Sequence, residues 1–237
     1  MKLLFATFTL AVLLSFTSNP SYAQNARYQT TAPSLDGIGK TYMGREIAGV
    51  MGWQGAGWLE RQEREREERT DILVKALDLQ PDMVVADIGA GTGYLSRRMA
   101  SLLRGSGRVI AVDVQPEMVR MLKRIGEQTG AKNIEARLCD ERDVNLSTNS
   151  VDLAIMVDVY HELAYPYEVL QSIVKALKAG GQLVFVEYRA EDAKVPIKEV
   201  HKMSEVQVKL EASAHGLKWD RTFAGLPWQH MVVFRKP

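Results

Sequence analysis

The run Val84-Val85-Ala86-Asp87-Ile88-Gly89-Ala90-Gly91-Thr92-Gly93-Tyr94 joins an apolar segment of strand length to alternating glycines and then to a helical pattern. Glycines in such a turn let the backbone approach a ligand closely, and the helix that follows offers free N–H groups to it. Asp113 closes the next apolar run, about 20 residues past the turn, where a carboxylate can accept both hydrogen bonds of a ribose diol. Its alternative reading is a cap for the helix starting near Pro116. The dinucleotide fingerprint G-x-G-x-x-G is not met, because Tyr94 stands where its third glycine belongs and the acidic Asp87 precedes the turn. A second chemistry-bearing run, Met156-Val157-Asp158-Val159-Tyr160-His161-Glu162, ends a later apolar stretch. An imidazole titrates near neutrality, which makes His161 the candidate general base, with Tyr160 and Glu162 behind it; a histidine hydrogen-bonded for structure is the alternative. His201, His215 and His230 show no ligand spacing in the sequence, so no metal site is expected of them.

These residues need a scaffold that brings strand ends together. Apolar runs at Val84–Ile88, Arg108–Asp113, Ile134–Leu138, Val151–Val157 and Gln182–Glu187 alternate with helical stretches at Tyr94–Leu103, Pro116–Gln128, Tyr167–Lys178 and Ile197–Ala214. That alternation predicts an α/β fold with a doubly wound, mostly parallel sheet, in which ligands sit at the carboxyl ends of the strands. Two last runs, Trp219–Phe223 and Gln229–Arg235, are too close for a crossover and predict an antiparallel hairpin, giving seven strands. Gly180-Gly181 is expected to form the tight exit from the third helix.

Upstream, Leu59–Leu79 reads as one helix with Glu60/Arg64 and Glu65/Arg69 as i,i+4 pairs on a solvated face. Residues 24–58 read as an irregular arm carrying at most short helices; Met43, Met51, Trp53 and Trp58 could close over a ligand or simply pack on the sheet. Residues 1–23 read as a signal peptide: Met1-Lys2, a mostly apolar run from Leu3 to Phe16 too short to span a bilayer, and Ser21-Tyr22-Ala23 before a cleavage at Gln24. The expected chain is exported, with no membrane anchor after cleavage.

Composition removes several classes of function. Thirty Lys and Arg against 29 Asp and Glu leave a net charge of +1, so there is no bulk attraction to nucleic acid. Cys139 is the only cysteine, which excludes an intrachain disulfide and a cysteine-cluster metal site.

The spacing D-x-G-x-G-x-G from Asp87 to Gly93 resembles the first motif of class I S-adenosylmethionine-dependent methyltransferases, and the terminal hairpin is similar to theirs. The resemblance covers roughly residues 59–235, a methyltransferase domain taken as 59–237, and is strongest toward small-molecule enzymes of the quinone type, partly through Glu187-Tyr188-Arg189 and His201-Lys202-Met203-Ser204. It implies S-adenosylmethionine as cofactor, held by Asp87, Gly89, Ala90, Gly91, Gly93, Asp113, Val114, Asp140 and Asp158. Asp113 would take the ribose, Asp140 the adenine amino group and Asp158 would lie near the methionine moiety, with His161 near a small-molecule acceptor. Arsenite methyltransferases share the general plan, but their several thiols are absent here. Two other readings stay open: an exported protein that kept the fold and lost the reaction, and a nicotinamide enzyme, which Tyr94 and the hairpin disfavour.

Overall fold

The computed structural model describes residues 27–237; the signal-peptide segment lies outside them. Strands β4 (Val84–Ile88), β5 (Arg108–Asp113), β6 (Ile134–Leu138) and β7 (Val151–Val157) have the expected bounds, and β8 (Leu177–Tyr188), β9 (Lys218–Phe223) and β10 (Gln229–Arg235) complete the sheet. Their order is β6-β5-β4-β7-β8-β10-β9. The pairs from β6 to β8 are parallel, while β10 runs antiparallel to β8 and to β9. This is the doubly wound, seven-stranded sheet with a terminal hairpin that the sequence predicts.

The core follows from strand periodicity. Alternate residues point to opposite faces, so Ala86, Ile110, Val112, Met156 and Phe185 pack on one side with Leu170 and Ile173, while Val85, Val109, Ile155 and Val184 pack on the other with Leu73, Leu95 and Met99. Every residue of β4 is buried, as a central parallel strand requires when helices cover both faces. Because β4 lies between β5 and β7, the crossovers leave it on opposite sides, and a crevice opens at its carboxyl end.

Four expectations need correction. The arm is not irregular: β1 (Tyr28–Thr30), β2 (Gly37–Tyr42) and β3 (Arg45–Ala48) form a separate antiparallel sheet. Distant contacts fasten it to the domain. Arg27 pairs with Glu168, Lys40 Nζ donates to the Ala164 carbonyl over the Tyr165 ring, and Arg45 forms a bidentate pair with the fully buried Glu211. The single helix expected over Leu59–Leu79 is three short helices, Ala56–Leu59, Arg64–Glu68 and Thr70–Ala76, broken at Arg69, whose φ is +51°. The stretch Ile197–Ala214 is a turn of 3-10 helix at Glu199–His201 followed by the helix Glu205–Ser213, which Ser204 caps by accepting from the Gln207 amide. The third crossover helix ends at Ala176 and β8 begins at once, so Gly180-Gly181 lies inside the strand's first residues. Among the described residues no helix is long and apolar enough to cross a membrane.

Candidate functional site

At the end of β4 the Gly89 and Ala90 amides donate to the Val112 carbonyl at 2.8 and 3.0 Å, which ties the turn to β5. Gly89 and Gly91 have φ of +69° and +57°. A Cβ at Gly89 would lie 2.6 Å from Val159, and one at Gly91 2.5 Å from Leu59, so the turn is both left-handed and closely covered. Asp113 completes it. Its Oδ2 accepts from the Gly91 amide at 2.9 Å and its Oδ1 from the Gln115 amide at 2.8 Å. Burial pushes this carboxyl above its ordinary range, and the amides act against that shift. The cap residue of the helix Pro116–Thr129 is Gln115, so Asp113 belongs to the turn.

Two adjoining cavities run along this edge of the sheet. The smaller, about 150 Å³, is lined by Gly89, Val114, Cys139, Asp140, Val144 and Leu163, among others. The larger, about 470 Å³, is lined by Gly89, Gly91, Asp113, Asp158, His161 and Tyr188 together with Met51 and Trp58. Val50, Gly89, Val159 and Glu162 line both, so the cavities form one cleft whose wall includes the end of the arm. Asp87, Ala90 and Gly93 line neither cavity among the described residues. Asp87 instead accepts from Ser96 Oγ at 2.5 Å behind the turn, where burial pushes its carboxyl up to about 6. It supports the helix Tyr94–Ala100, which Gly93 starts, and does not face the cleft. Asp140, on the open rim, is held below the usual carboxylate range by the Arg142 and Asp143 amides. Burial pushes the Cys139 thiol up to about 12, so it stays protonated at neutral pH.

At the far end β7 leads into Asp158, with φ of +54°, and a 3-10 turn at Tyr160–Glu162. Asp158 Oδ2 accepts from Gln229 Nε2 at 2.7 Å, while its Oδ1 is buried without a partner. Burial holds this carboxyl well above its usual range, and the neighbouring Glu68 and Glu187 add to the shift. His161 is 2% exposed; its Nδ1 lies 2.5 Å from Oε2 of the fully buried Glu187, whose Oε1 accepts from the Tyr160 amide at 3.0 Å. The His161 carbonyl is held by Arg45 Nη1 at 3.3 Å, so β3 also positions this turn.

The structure thus brings Gly89, Gly91, Asp113, Val114, Asp140, Asp158 and His161 to one cleft. It also adds residues that sequence reading missed. Glu68, expected on a solvated face, is 2% exposed and accepts from Arg61 Nη2 at 2.8 Å and Arg64 Nε at 2.7 Å in the cleft wall. The expected pairs Glu60/Arg64 and Glu65/Arg69 give way to Arg64–Glu68, Arg97–Glu60 and Arg98–Glu65. His201, which sequence spacing left unassigned, stands beside His161 with its Nδ1 3.2 Å from His161 Nε2.

A methyltransferase-domain family model matches residues 79–230, and the chain belongs to that family. Its fold matches that of a SAM-dependent methyltransferase from Aquifex aeolicus, with a TM-score of 0.75 at 23% identity over 79% of this chain and all of that one. It also matches the [4+2]-cyclase SpnF, with a TM-score of 0.61 at 16% identity over 71% of this chain and 80% of that one. Among curated proteins, the ubiquinone/menaquinone biosynthesis C-methyltransferase UbiE of Ectopseudomonas mendocina is 26% identical over 118 residues, 49% of this chain and 46% of that one. An uncharacterized 37.1 kDa transposon protein of Streptomyces fradiae is 33% identical over 116 residues, 49% of this chain and 33% of that one. The chain spans about a third to a half of the length of these curated relatives.

Proposed function

We propose that this protein transfers a methyl group from S-adenosylmethionine to a small-molecule acceptor. The observation that carries the reading is the convergence, in one cleft, of the Cβ-free Gly89 and Gly91 of the turn, the Asp113 carboxylate and the unpartnered Oδ1 of Asp158. These features fit the donor part by part. A ribose diol suits Asp113, whose oxygens each keep a lone pair after accepting one amide. The methionine ammonium suits Asp158 Oδ1, a buried acceptor that otherwise lacks a donor. Val114 and Asp140 in the smaller cavity suit the adenine, the first by apolar contact and the second by accepting from its amino group. Gly89, Ala90, Gly91 and Gly93 shape the turn, and Asp87 holds it from behind.

When bound, the donor supplies a methyl carbon already activated by a sulfonium. The protein's task is therefore mainly orientation. His161 lines the acceptor space: Glu187 takes the Nδ1 proton in a hydrogen bond, which turns the Nε2 lone pair toward His201 Nδ1, 3.2 Å away, so that an acceptor hydroxyl must reach Nε2 beside His201 to give it a proton. The arm covers this end of the cleft with Val50, Met51 and Trp58 and limits the entry of water.

Mass spectrometry of the small molecules retained by the purified protein tests the reading: the donor or its demethylated product is expected. Methyl incorporation into small-molecule extracts separates an enzyme from a protein that only binds the donor. We further propose that residues 1–23 are removed on export, on the strength of the short apolar run and the Ser21-Tyr22-Ala23 site. Intact-mass analysis of protein from the native host should give a chain starting at Gln24; a soluble protein retaining Met1 would contradict this.

A further inference from the structure

Two imidazoles and a carboxylate meet in the larger cavity from two separate segments: His161 and Glu162 from the turn after β7, and His201 from the turn at Glu199–His201. His161 Nε2 and His201 Nδ1 are 3.2 Å apart, and Glu162 Oε1 is 3.5 Å from His201 Nδ1 and 3.8 Å from His161 Nε2. We propose that these three side chains bind one divalent first-row transition-metal ion, with Zn²⁺ the probe that fits them best.

The spacing supports an ion rather than a simple polar cluster. Ligands bound tetrahedrally at about 2.0–2.2 Å lie roughly 3.4 Å apart, and the three observed separations bracket that value. Two histidines with one carboxylate form a borderline donor set suited to Zn²⁺, Fe²⁺ or Mn²⁺, and they leave at least one coordination position open.

The residues behind the ligands aim them. Glu187 accepts from His161 Nδ1, the carboxylate–histidine arrangement that fixes a ligating tautomer and turns Nε2 toward the metal. Glu162 is held by its other oxygen, Oε2, which accepts from the Met51 amide at 3.2 Å and leaves Oε1 for the ion. Charge argues the same way. Among the described residues Glu162 and Glu187 have ion pairs only with these imidazoles, while the nearby Arg61 and Arg64 are engaged by Glu68. A dication would offset the two carboxylates and let both facing ring nitrogens act as lone-pair donors.

This deepens the proposed function and, for the acceptor, rests on it. The three side chains line the larger cavity, so an open position on the ion would be reached from that cavity, and the acceptor class that fits is one with a hydroxyl or similar oxygen donor. An acceptor hydroxyl on the ion would lose its proton to water more readily than the free hydroxyl does. In the metal-loaded protein the ion replaces the ring of His161 in activating the acceptor, because a ligating Nε2 has no lone pair left for a proton.

The test is calorimetric titration of Zn²⁺ into the full chain after stripping with a chelator. One stoichiometric site is expected. Glu187→Gln should weaken it about 10–100-fold, the usual effect of losing a partner behind a ligand. His201→Ala and Glu162→Gln, which remove ligands at partly exposed positions, should weaken it further, and His215→Gln outside the cluster should not. Thermal melts without metal check that each variant folds, and Co²⁺ loading should give visible ligand-field bands that His201→Ala abolishes. Absence of a stoichiometric site, or equal affinity in His201→Ala and Glu162→Gln, overturns the proposal. Donor affinity measured on the same samples keeps the two readings apart: intact metal binding without donor binding rejects methyl transfer and leaves the metal site standing.

Discussion

His161 Nδ1 and Glu187 Oε2 lie 2.5 Å apart with both side chains closed to solvent, and that contact decides which ring nitrogen faces the cleft. An ionised carboxylate only accepts, so the proton sits on Nδ1 and the Nε2 lone pair points away from Glu187. In His161→Gln the side-chain amide can still donate to Glu187, but no basic lone pair remains. Donor affinity is expected to hold while single-turnover rate falls roughly 10²–10⁴-fold, the usual worth of a group that activates the acceptor. Equal losses of donor affinity and thermal stability, at an unchanged rate constant, would assign His161 a structural role only.

Asp113 makes a separate prediction because it serves the turn and the ribose together. Asp113→Ala removes a charged acceptor and should cost about 2–3 kcal/mol of donor binding, or roughly 30- to 150-fold in affinity. Calorimetry on folded variant protein checks this, and an unchanged affinity would remove Asp113 from the donor site.

The turn itself is tested at Gly91. Its φ of +57° disfavours any side chain, so Gly91→Ala should lose about 1–2 kcal/mol of stability from backbone strain. Leu59 must also shift, because the new Cβ would lie 2.5 Å from its side chain. Chemical denaturation gives the first effect and donor titration the second; a variant as stable as wild type would show that the turn is not left-handed.

Burial raises the Asp87 carboxyl to about 6, above an unfolded value of about 3.9. Between these values the folded protein holds a proton that the unfolded chain has lost. Its contribution is therefore complete below pH of about 4 and is lost as pH rises toward 6. The stability of wild type relative to Asp87→Asn should fall by on the order of 3 kcal/mol from pH 4 to pH 7. A pH-independent difference between the two proteins would contradict the shift.

Much of this architecture was legible because hydrophobic period reports sheet burial directly. The bounds of β4, β5, β7 and β10 follow from apolar runs that are largely buried, while β6, a half-exposed edge strand, follows from the alternation of Ile134, Ala136 and Leu138 with charged residues. The arm was not legible: β1 to β3 are short, carry glycines at 37 and 39, and owe their order to distant partners such as Glu168 and Glu211. The charge run misled for a related reason. Arg64 and Glu68 are buried because each satisfies the other inside the fold, and sequence alone does not distinguish that from a solvated pair. At the site, strand-end residues such as Asp113 and Asp158 could be picked from position, whereas His201 reaches His161 across 40 positions and leaves no spacing signal. Asp87 was legible as part of the motif, but its direction was not, since only the packing of Ser96 shows that it faces the helix.

The most direct test of the central claim is titration of S-adenosylmethionine into the folded full chain and into Asp158→Asn, whose buried Oδ1 is assigned to the methionine ammonium. Saturable binding at one site per chain is predicted, weakened in the variant by about 1.5–3 kcal/mol through loss of a charged hydrogen bond. No saturable binding to folded wild-type protein, or equal affinity in the two proteins, would contradict the account.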